Sequence, residues 1–193
     1  MTKLIKRITA PLLSLVFLLN MSSAGMAETT VSAEIGFIFN TLLFLICGFL
    51  VFFMACGFAM LESGMVTSKS VSVICAKNIG LISISGIMFW MFGYNLAYGI
   101  PEGGYIGSFI PWSDSSAVDT GYADGSDWYF QMVFCATTMS IVSGTLAERI
   151  KIWPFFLFAA ILTGIIYPIQ MGWQWGGGWL SAAGFSDFAG STL

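Results

Sequence analysis

The sequence predicts an all-α, polytopic membrane helix bundle, and three observations carry that prediction. Apolar residues make up 57% of the 193-residue chain and charged residues 9%, whereas a water-soluble domain usually carries about 25% charge. Four long stretches, 35–61, 78–101, 128–147 and 152–186, contain no charged residue at all. Every Lys and Arg beyond residue 27 falls on one side of the alternation that these stretches impose. The same numbers exclude a disordered chain. The apolar runs are continuous rather than alternating, which argues against an outer-membrane barrel.

The first element is a targeting segment. Lys3, Lys6 and Arg7 precede the apolar run 12–19; Asn20, Ser22, Ser23 and Ala24 follow, with Gly25 and Ala27 at minus three and minus one of a cut after Ala27. Positive charge, a short apolar core and small residues make a secretory signal peptide. The core is too short to span a bilayer, which takes about 20 residues. Residues 1–27 are therefore expected to be removed, leaving Glu28 as an N-terminus outside the cytoplasm.

Residues 28–193 form the membrane portion. At a rise of about 1.5 Å per residue, about 20 residues cross the hydrocarbon core. The expected spans are about 35–61, 79–99, 128–147 and 152–171, with a fifth helix starting at Asp187. An outside N-terminus places Lys69, Lys77, Arg149 and Lys151 inside, and leaves the outside with acids: Glu28, Glu34, Glu102, Asp114, Asp119, Asp124, Asp127 and Asp187. That asymmetry matches the bias of cytoplasmic loops toward basic residues. It predicts a multi-pass protein of the cell inner membrane, with the lipid bilayer as its surroundings.

Several function classes fall away. Histidine is absent, which removes His-ligated haem, most zinc sites and every His-based triad from this chain. Seven Lys+Arg against ten Asp+Glu, with no basic run beyond the N-terminus, give nucleic acid no footprint. Cys47, Cys56, Cys75 and Cys135 are scattered, without a C-x-x-C, and read as small buried hydrophobes. Asp119, Asp124 and Asp127 lack calcium-loop spacing, so the long 100–127 link reads as a solvated loop. No phosphate loop, dinucleotide fingerprint or G-x-S-x-G occurs. No catalytic residue, metal or cofactor is expected, and the chain is not read as an enzyme.

Some residues exceed what a plain anchor needs. Phe130 and Phe134 are four apart, so their rings share a helix face; they are either lipid-facing aromatics or two rings plugging a pore below its outer mouth. Trp173, Trp175 and Trp179 stand at the outer interface, where tryptophan commonly forms a belt. The intervening Gly176, Gly177 and Gly178 permit tight turns and close approach, which a belt does not require. A tryptophan face there could hold a cation, aided by the nearby acids. Asp187 stands where a fifth helix would begin, as an N-cap, as an electrostatic element, or as both.

Five segments in order resemble one family. Gly57-Phe58-Ala59-Met60-Leu61-Glu62-Ser63-Gly64 with Ser68-Lys69 resembles the first-helix signature of the ammonium transporter, methylammonium permease and Rhesus superfamily. Phe92-Gly93-Tyr94-Asn95-Leu96-Ala97-Tyr98-Gly99 resembles its second-helix ending. Ser143-Gly144-Thr145-Leu146-Ala147-Glu148-Arg149-Ile150 resembles the end of its third. Tyr167-Pro168 with Trp175-Gly176-Gly177-Gly178, and then Asp187-Phe188-Ala189-Gly190, are similar to its fourth-to-fifth region. The resemblance implies an eleven-helix protomer of two inverted five-helix halves, assembled as a homotrimer with a pore in each protomer.

The resemblance also assigns roles. Trp175 and Phe134 would bind ammonium at an outer recruitment site, Phe130 and Phe134 would gate the pore, and Asp187 would act structurally near that site. Ammonium would shed a proton and cross as ammonia, and a PII-class regulatory protein would bind on the cytoplasmic side. The family's paired pore histidines are not in this chain; the first would fall two residues past Leu193, and the serine of the outer site belongs to the second half. The chain is accordingly expected to be a fragment of a longer transporter. The alternatives are an ammonium-sensing membrane domain of a signalling protein and an inert truncated membrane protein.

Overall fold

The structure is a computed structural model that describes residues 32–188 and 190–192. The expected signal peptide, 1–27, lies outside them. Among the described residues all regular structure is helical. Helix α1 is Ala33–Met65. Helix α2 is the continuous rod Val71–Tyr98, and α3 is Asp124–Thr145. Helix α4, 152–174, joins Ile152–Ile161 to Tyr167–Gln174 through a π-helical turn, Leu162–Ile166. The short α5 is Trp179–Ala182.

Neighbouring contacts define an up-and-down bundle. Near the start of α1, Asn40 Nδ2 donates to the Gly121 carbonyl at 2.9 Å, and the Thr41 hydroxyl accepts from the Ala123 N–H at 2.9 Å. Gly48 lets α1 lie close against the Tyr129 ring, because a Cβ there would come within 2.7 Å of Tyr129 Cε1. At the other end, the Thr67 N–H that follows α1 donates to Glu148, just beyond α3, at 3.0 Å. So α1 and α3 run parallel, and α2 and α4 run back between their ends.

Among the described residues, three stretches are long and apolar enough to cross a membrane: Ala33–Met65, Val71–Tyr98 and Ile152–Ala182. Helix α3 is long enough, 22 residues or about 33 Å, but more polar. It packs against α1, α2 and α4, and its buried positions include Ser126, Asp127, Ser140 and Ser143. The hydroxyls of Thr137, Thr138 and Ser140 each donate to the carbonyl four residues back. A helix sheltered by protein need not be uniformly apolar, because its polar groups find partners inside the bundle.

The second span differs from its expected bounds of 79–99. It begins at Val71, so Lys77 stands inside α2 rather than in a link, and is 4% exposed. Its ammonium lies 3.2 Å from Glu62 Oε2, donates to the Ser143 carbonyl at 3.1 Å and sits 4.9 Å from the Phe155 ring centroid. A charge neutralised by neighbouring helices does not end a helix, although counting apolar residues makes it look like an end. Helix α4 likewise runs past 171 to Gln174. After Ala182 the described residues lie in turns and irregular backbone, with Gly184 and Gly190 at φ +84° and +74°, and Asp187 stands in that stretch. Of the four cysteines only Cys135 is buried; Cys56 and Cys75 are exposed on apolar helix faces.

Two π-helical turns, Phe89–Gly93 in α2 and Leu162–Ile166 in α4, pack on each other. Pro168 cannot donate to the Gly164 carbonyl four residues back, and the π turn re-routes the ladder around that missing bond. The core divides along the bundle axis. Leu81, Met139, Phe155 and Ala159 fill the end that carries Lys77. Phe89, Ala97, Met132, Val133, Cys135, Tyr167 and Met171 fill the other half.

The charges separate along the same axis. Lys69, Lys77, Arg149 and Lys151 gather at one end with Glu62 and Glu148, where the turns after α1 and α3 meet. The opposite end carries the acids of the 99–123 link and the first turn of α3.

Candidate recruitment site

Phe130 and Phe134 lie on the α3 face that meets α1 and the core half containing Tyr167 and Met171. Their rings are 5.0 Å apart and nearly perpendicular at 87°, the edge-to-face geometry favoured by ring quadrupoles. Phe44 of α1 extends the group, 5.4 Å from Phe130 and 5.0 Å from Tyr122. Both phenylalanines are half-buried. Phe134 also packs against the core half that contains Tyr167 and Met171. The pair is thus a fixed aromatic feature of the bundle, reached from the 99–123 link through Tyr122 and Phe44.

Trp175 ends α4 one turn beyond Met171, with its N–H on the Met171 carbonyl at 2.9 Å. It is 45% exposed, and among the described residues its indole makes no ring contact. The other two tryptophans of the segment behave differently. Trp173 Nε1 donates to the Tyr105 carbonyl at 2.9 Å, its ring lies 5.9 Å from Trp179, and Trp179 stacks on Tyr105 at 5.9 Å. Trp173 and Trp179 clamp the 99–123 link at Tyr105, which leaves Trp175 the exposed aromatic face of the three. Among the described residues no ring contact joins Trp175 to Phe134: Phe134 packs on the core half that holds Met171, and Trp175 bonds the Met171 carbonyl through its backbone N–H.

The three glycines have separate physical reasons. A Cβ on Gly176 would run into the Ala97 carbonyl oxygen, so Gly176 lets α4 close on the end of α2. Gly177 has φ +74°, the left-handed region that disfavours other residues. A Cβ on Gly178 would lie 2.8 Å from the Gly172 carbonyl oxygen and 2.9 Å from Trp173 Cα. Together they let α4 close on α2 and the chain turn sharply just after Trp175.

Asp187 is 7% exposed. Its Oδ1 accepts from the Ser191 N–H at 2.7 Å and the Ser191 hydroxyl at 3.0 Å. Its Oδ2 accepts from the Thr192 N–H at 2.8 Å and from the Thr192 hydroxyl. Partners four and five residues ahead lie beyond the usual N-cap reach of two to three, so the carboxylate organises a turn. The Thr192 hydroxyl above all, with the Thr192 and Ser191 N–H groups, holds this carboxyl well below the usual carboxylate range.

Two buried carboxylates were not foreseen. Glu62 is 2% exposed and pairs with Lys77; its Oε2 also accepts from Asn78 Nδ2 at 3.1 Å. Asp127, 5% exposed, accepts from the Tyr94 hydroxyl at 2.7 Å and from Gln131 Nε2 at 3.0 Å. The four-residue spacing of Asp127 and Gln131 was a usable signal; the contact with Tyr94, 33 residues away, was not.

A family model described as the Ammonium Transporter Family matches residues 42–193. The Synechocystis sp. protein sll1017 is 38% identical over 184 residues, 93% of this chain and 41% of its own length. The ammonium transporter Amt2 of Archaeoglobus fulgidus is 38% identical over 159 residues, 77% of this chain and 34% of that protein. A solved structure titled Sensor Amt Protein superposes with a TM-score of 0.71 at 32% identity, covering 79% of this chain and 39% of that one. The chain thus spans about a third to two fifths of the length of the curated relatives it matches. With its helical bundle and a family match over most of its length, this chain belongs to the Ammonium Transporter Family.

Proposed function

We propose that the protein carries ammonium or ammonia across a membrane, and that this chain supplies one wall of the pathway and part of its outer recruitment site. The family match over residues 42–193 is the observation that carries the reading. In it, the exposed indole of Trp175 and the ring of Phe134 receive the cation, and the perpendicular Phe130–Phe134 pair forms the gate. Asp187 acts structurally by ordering the turn after α5.

The physics favours a proton being left behind. A desolvated cation is costly at mid-membrane, whereas a small neutral amine is far cheaper to bury. Recruitment therefore needs a cation-friendly aromatic mouth, and passage needs an apolar constriction. The acid-bearing end would face outward and the Lys/Arg end the cytoplasm, in keeping with the basic bias of inner loops. In this reading the protein lies in the inner membrane behind a cleaved signal peptide, forms a homotrimer and receives a PII-class regulator at the basic end. A second reading, an ammonium-sensing membrane domain, is favoured by one observation: the solved structure noted above is titled Sensor Amt Protein.

Uptake of labelled methylammonium by ammonium-limited cells expressing the natural gene tests the proposal. Saturable uptake that ammonium competes away is expected. Trp175→Leu keeps apolar bulk and removes the π face; loss of a contact of roughly 1 kcal/mol weakens cation binding about fivefold. Absent uptake with an intact ammonium-dependent signalling response would favour the sensor. Unchanged uptake and cation discrimination in Trp175→Leu would return Trp175 to an interfacial belt.

A further inference from the structure

A buried carboxylate sits above the ring pair without a cationic partner. Asp127 belongs to the first turn of α3 and is almost wholly buried. Its two oxygens take one neutral donor each, Tyr94 and Gln131. Among the described residues the one ion pair is Glu62–Lys77, at the opposite end of the bundle, where the Lys and Arg side chains also gather. The donor Tyr94 belongs to an aromatic group: its ring centroid lies 5.1 Å from that of Tyr98 and 6.1 Å from that of Phe89, and the rings of Trp112 and Trp128 lie 5.5 Å from each other. Buried charges are ordinarily paired with an opposite charge. Two neutral donors and the helix N-terminus support this carboxylate without cancelling its field.

Helical geometry directs that field. Seven residues make almost two full turns, so Phe134 lies nearly straight beneath Asp127, about 10.5 Å along the axis. Phe130 lies one turn beneath, on the adjoining ridge. The carboxylate is buried, and in low-dielectric surroundings a charge acts over longer distances than in water.

We propose that Asp127 is an electrostatic positioning residue for cation recruitment, its uncompensated buried charge raising the occupancy of a monovalent ammonium-type cation at the Phe134 ring. The inference rests on the transport reading above and extends it to a residue outside the recruitment machinery described there. The Tyr94 hydroxyl and Gln131 amide hold the carboxylate in place. The Tyr94 hydrogen bond is a support, and the charge is the working element.

Two near-isosteric variants separate charge from structure in the natural protein. Asp127→Asn removes the charge and keeps an oxygen that can accept from Tyr94. Tyr94→Phe removes that hydrogen bond and keeps the charge. The measurement is labelled methylammonium uptake against concentration, with half-saturation and maximal rate fitted separately and normalised to protein recovered from the membrane. Asp127→Asn is expected to raise half-saturation about threefold to tenfold, the range for a unit charge at this separation after partial screening. Its maximal rate per molecule should change little, and Tyr94→Phe should stay within about twofold of wild type on both. A purely structural role would lower recovery or maximal rate and leave half-saturation in place. Unchanged half-saturation in Asp127→Asn, or an equal rise in Tyr94→Phe, overturns the inference while leaving the transport reading intact. Wild-type protein without saturable uptake overturns both.

Discussion

The buried Glu62–Lys77 pair offers a quantitative test of how this bundle is held at its basic end. Lys77→Met preserves the length and apolar stem of the side chain but deletes the ammonium. Glu62 then keeps a charge at 2% exposure with Asn78 Nδ2, at 3.1 Å, as its remaining donor; its Oε1 already has no hydrogen-bond partner among the described residues. The Ser143 carbonyl loses its Lys77 donor as well. Leaving an uncompensated buried charge costs about 3–5 kcal/mol. Replacing both partners, Glu62→Leu with Lys77→Met, removes the orphan charge. Asn78 retains its bond to the Ile74 carbonyl at 3.0 Å, so the double variant should lie within about 1–2 kcal/mol of wild type. The assay is unfolding of the micelle-solubilised protein by a denaturing detergent, followed by near-ultraviolet circular dichroism, for the four members of the cycle. A large favourable coupling energy is expected. A Lys77→Met cost below about 1 kcal/mol, or a double variant as damaged as the sum of the singles, would refute the claim that the pair is desolvated and mutually dependent.

Two further outcomes follow from the same physics. Gly176→Ala should destabilise the protein by about 1–3 kcal/mol and displace Trp175, because the added Cβ meets the Ala97 carbonyl oxygen and backbone cannot move aside as a flexible side chain does; tryptophan fluorescence and unfolding together check it, and an unperturbed spectrum at normal stability contradicts the close approach. For Asp187, Asn should keep much of the turn with Ser191 and Thr192, whereas Ala should lose it, as recovery of folded protein from membranes will show. Because the folded Asp187 carboxyl is held below its ordinary value, its contribution is complete above the unfolded pKa and is lost as the pH falls through the folded one. The stability of Asp187→Ala should therefore depend less on pH than wild type in the acid range; parallel acid profiles would count against this role.

The helix pattern was legible because it depends on composition over about 20 residues. The need to satisfy backbone groups and to shed charge from the hydrocarbon core acts on whole stretches, so spans near 35–61 and 152–171 could be read without contacts. The charge asymmetry was equally legible, since each loop carries its own Lys, Arg, Asp or Glu. So were the Phe130–Phe134 pair and the Asp127–Gln131 pair in principle, because both are local helical spacings. Gly176 and Gly178 were readable as sites of close approach, although not which backbone would approach them.

What tertiary structure alone decided is which polar residues belong inside. Lys77 looked like the end of a span because a lone charge ends an apolar count. Only the approach of Glu62, Ser143 and Phe155 from three other segments makes it an interior residue. By composition and spacing alone the three tryptophans near Gly176 are equivalent, and the family resemblance singles out Trp175; contacts with Tyr105 make the other two structural and leave Trp175 exposed. The same holds for Asp187, whose partners set it in a turn, and for Asp127, which Tyr94 reaches from another helix. The sequence by itself determined the membrane helices, the polarity of the bundle and the family, because these follow from apolar spacing, charge sign and local motifs. The structure determined whether each charge is neutralised, solvated or left to act at a distance, because the energy of a charge in a low-dielectric medium depends on what stands within a few ångströms of it, whichever part of the chain supplies it.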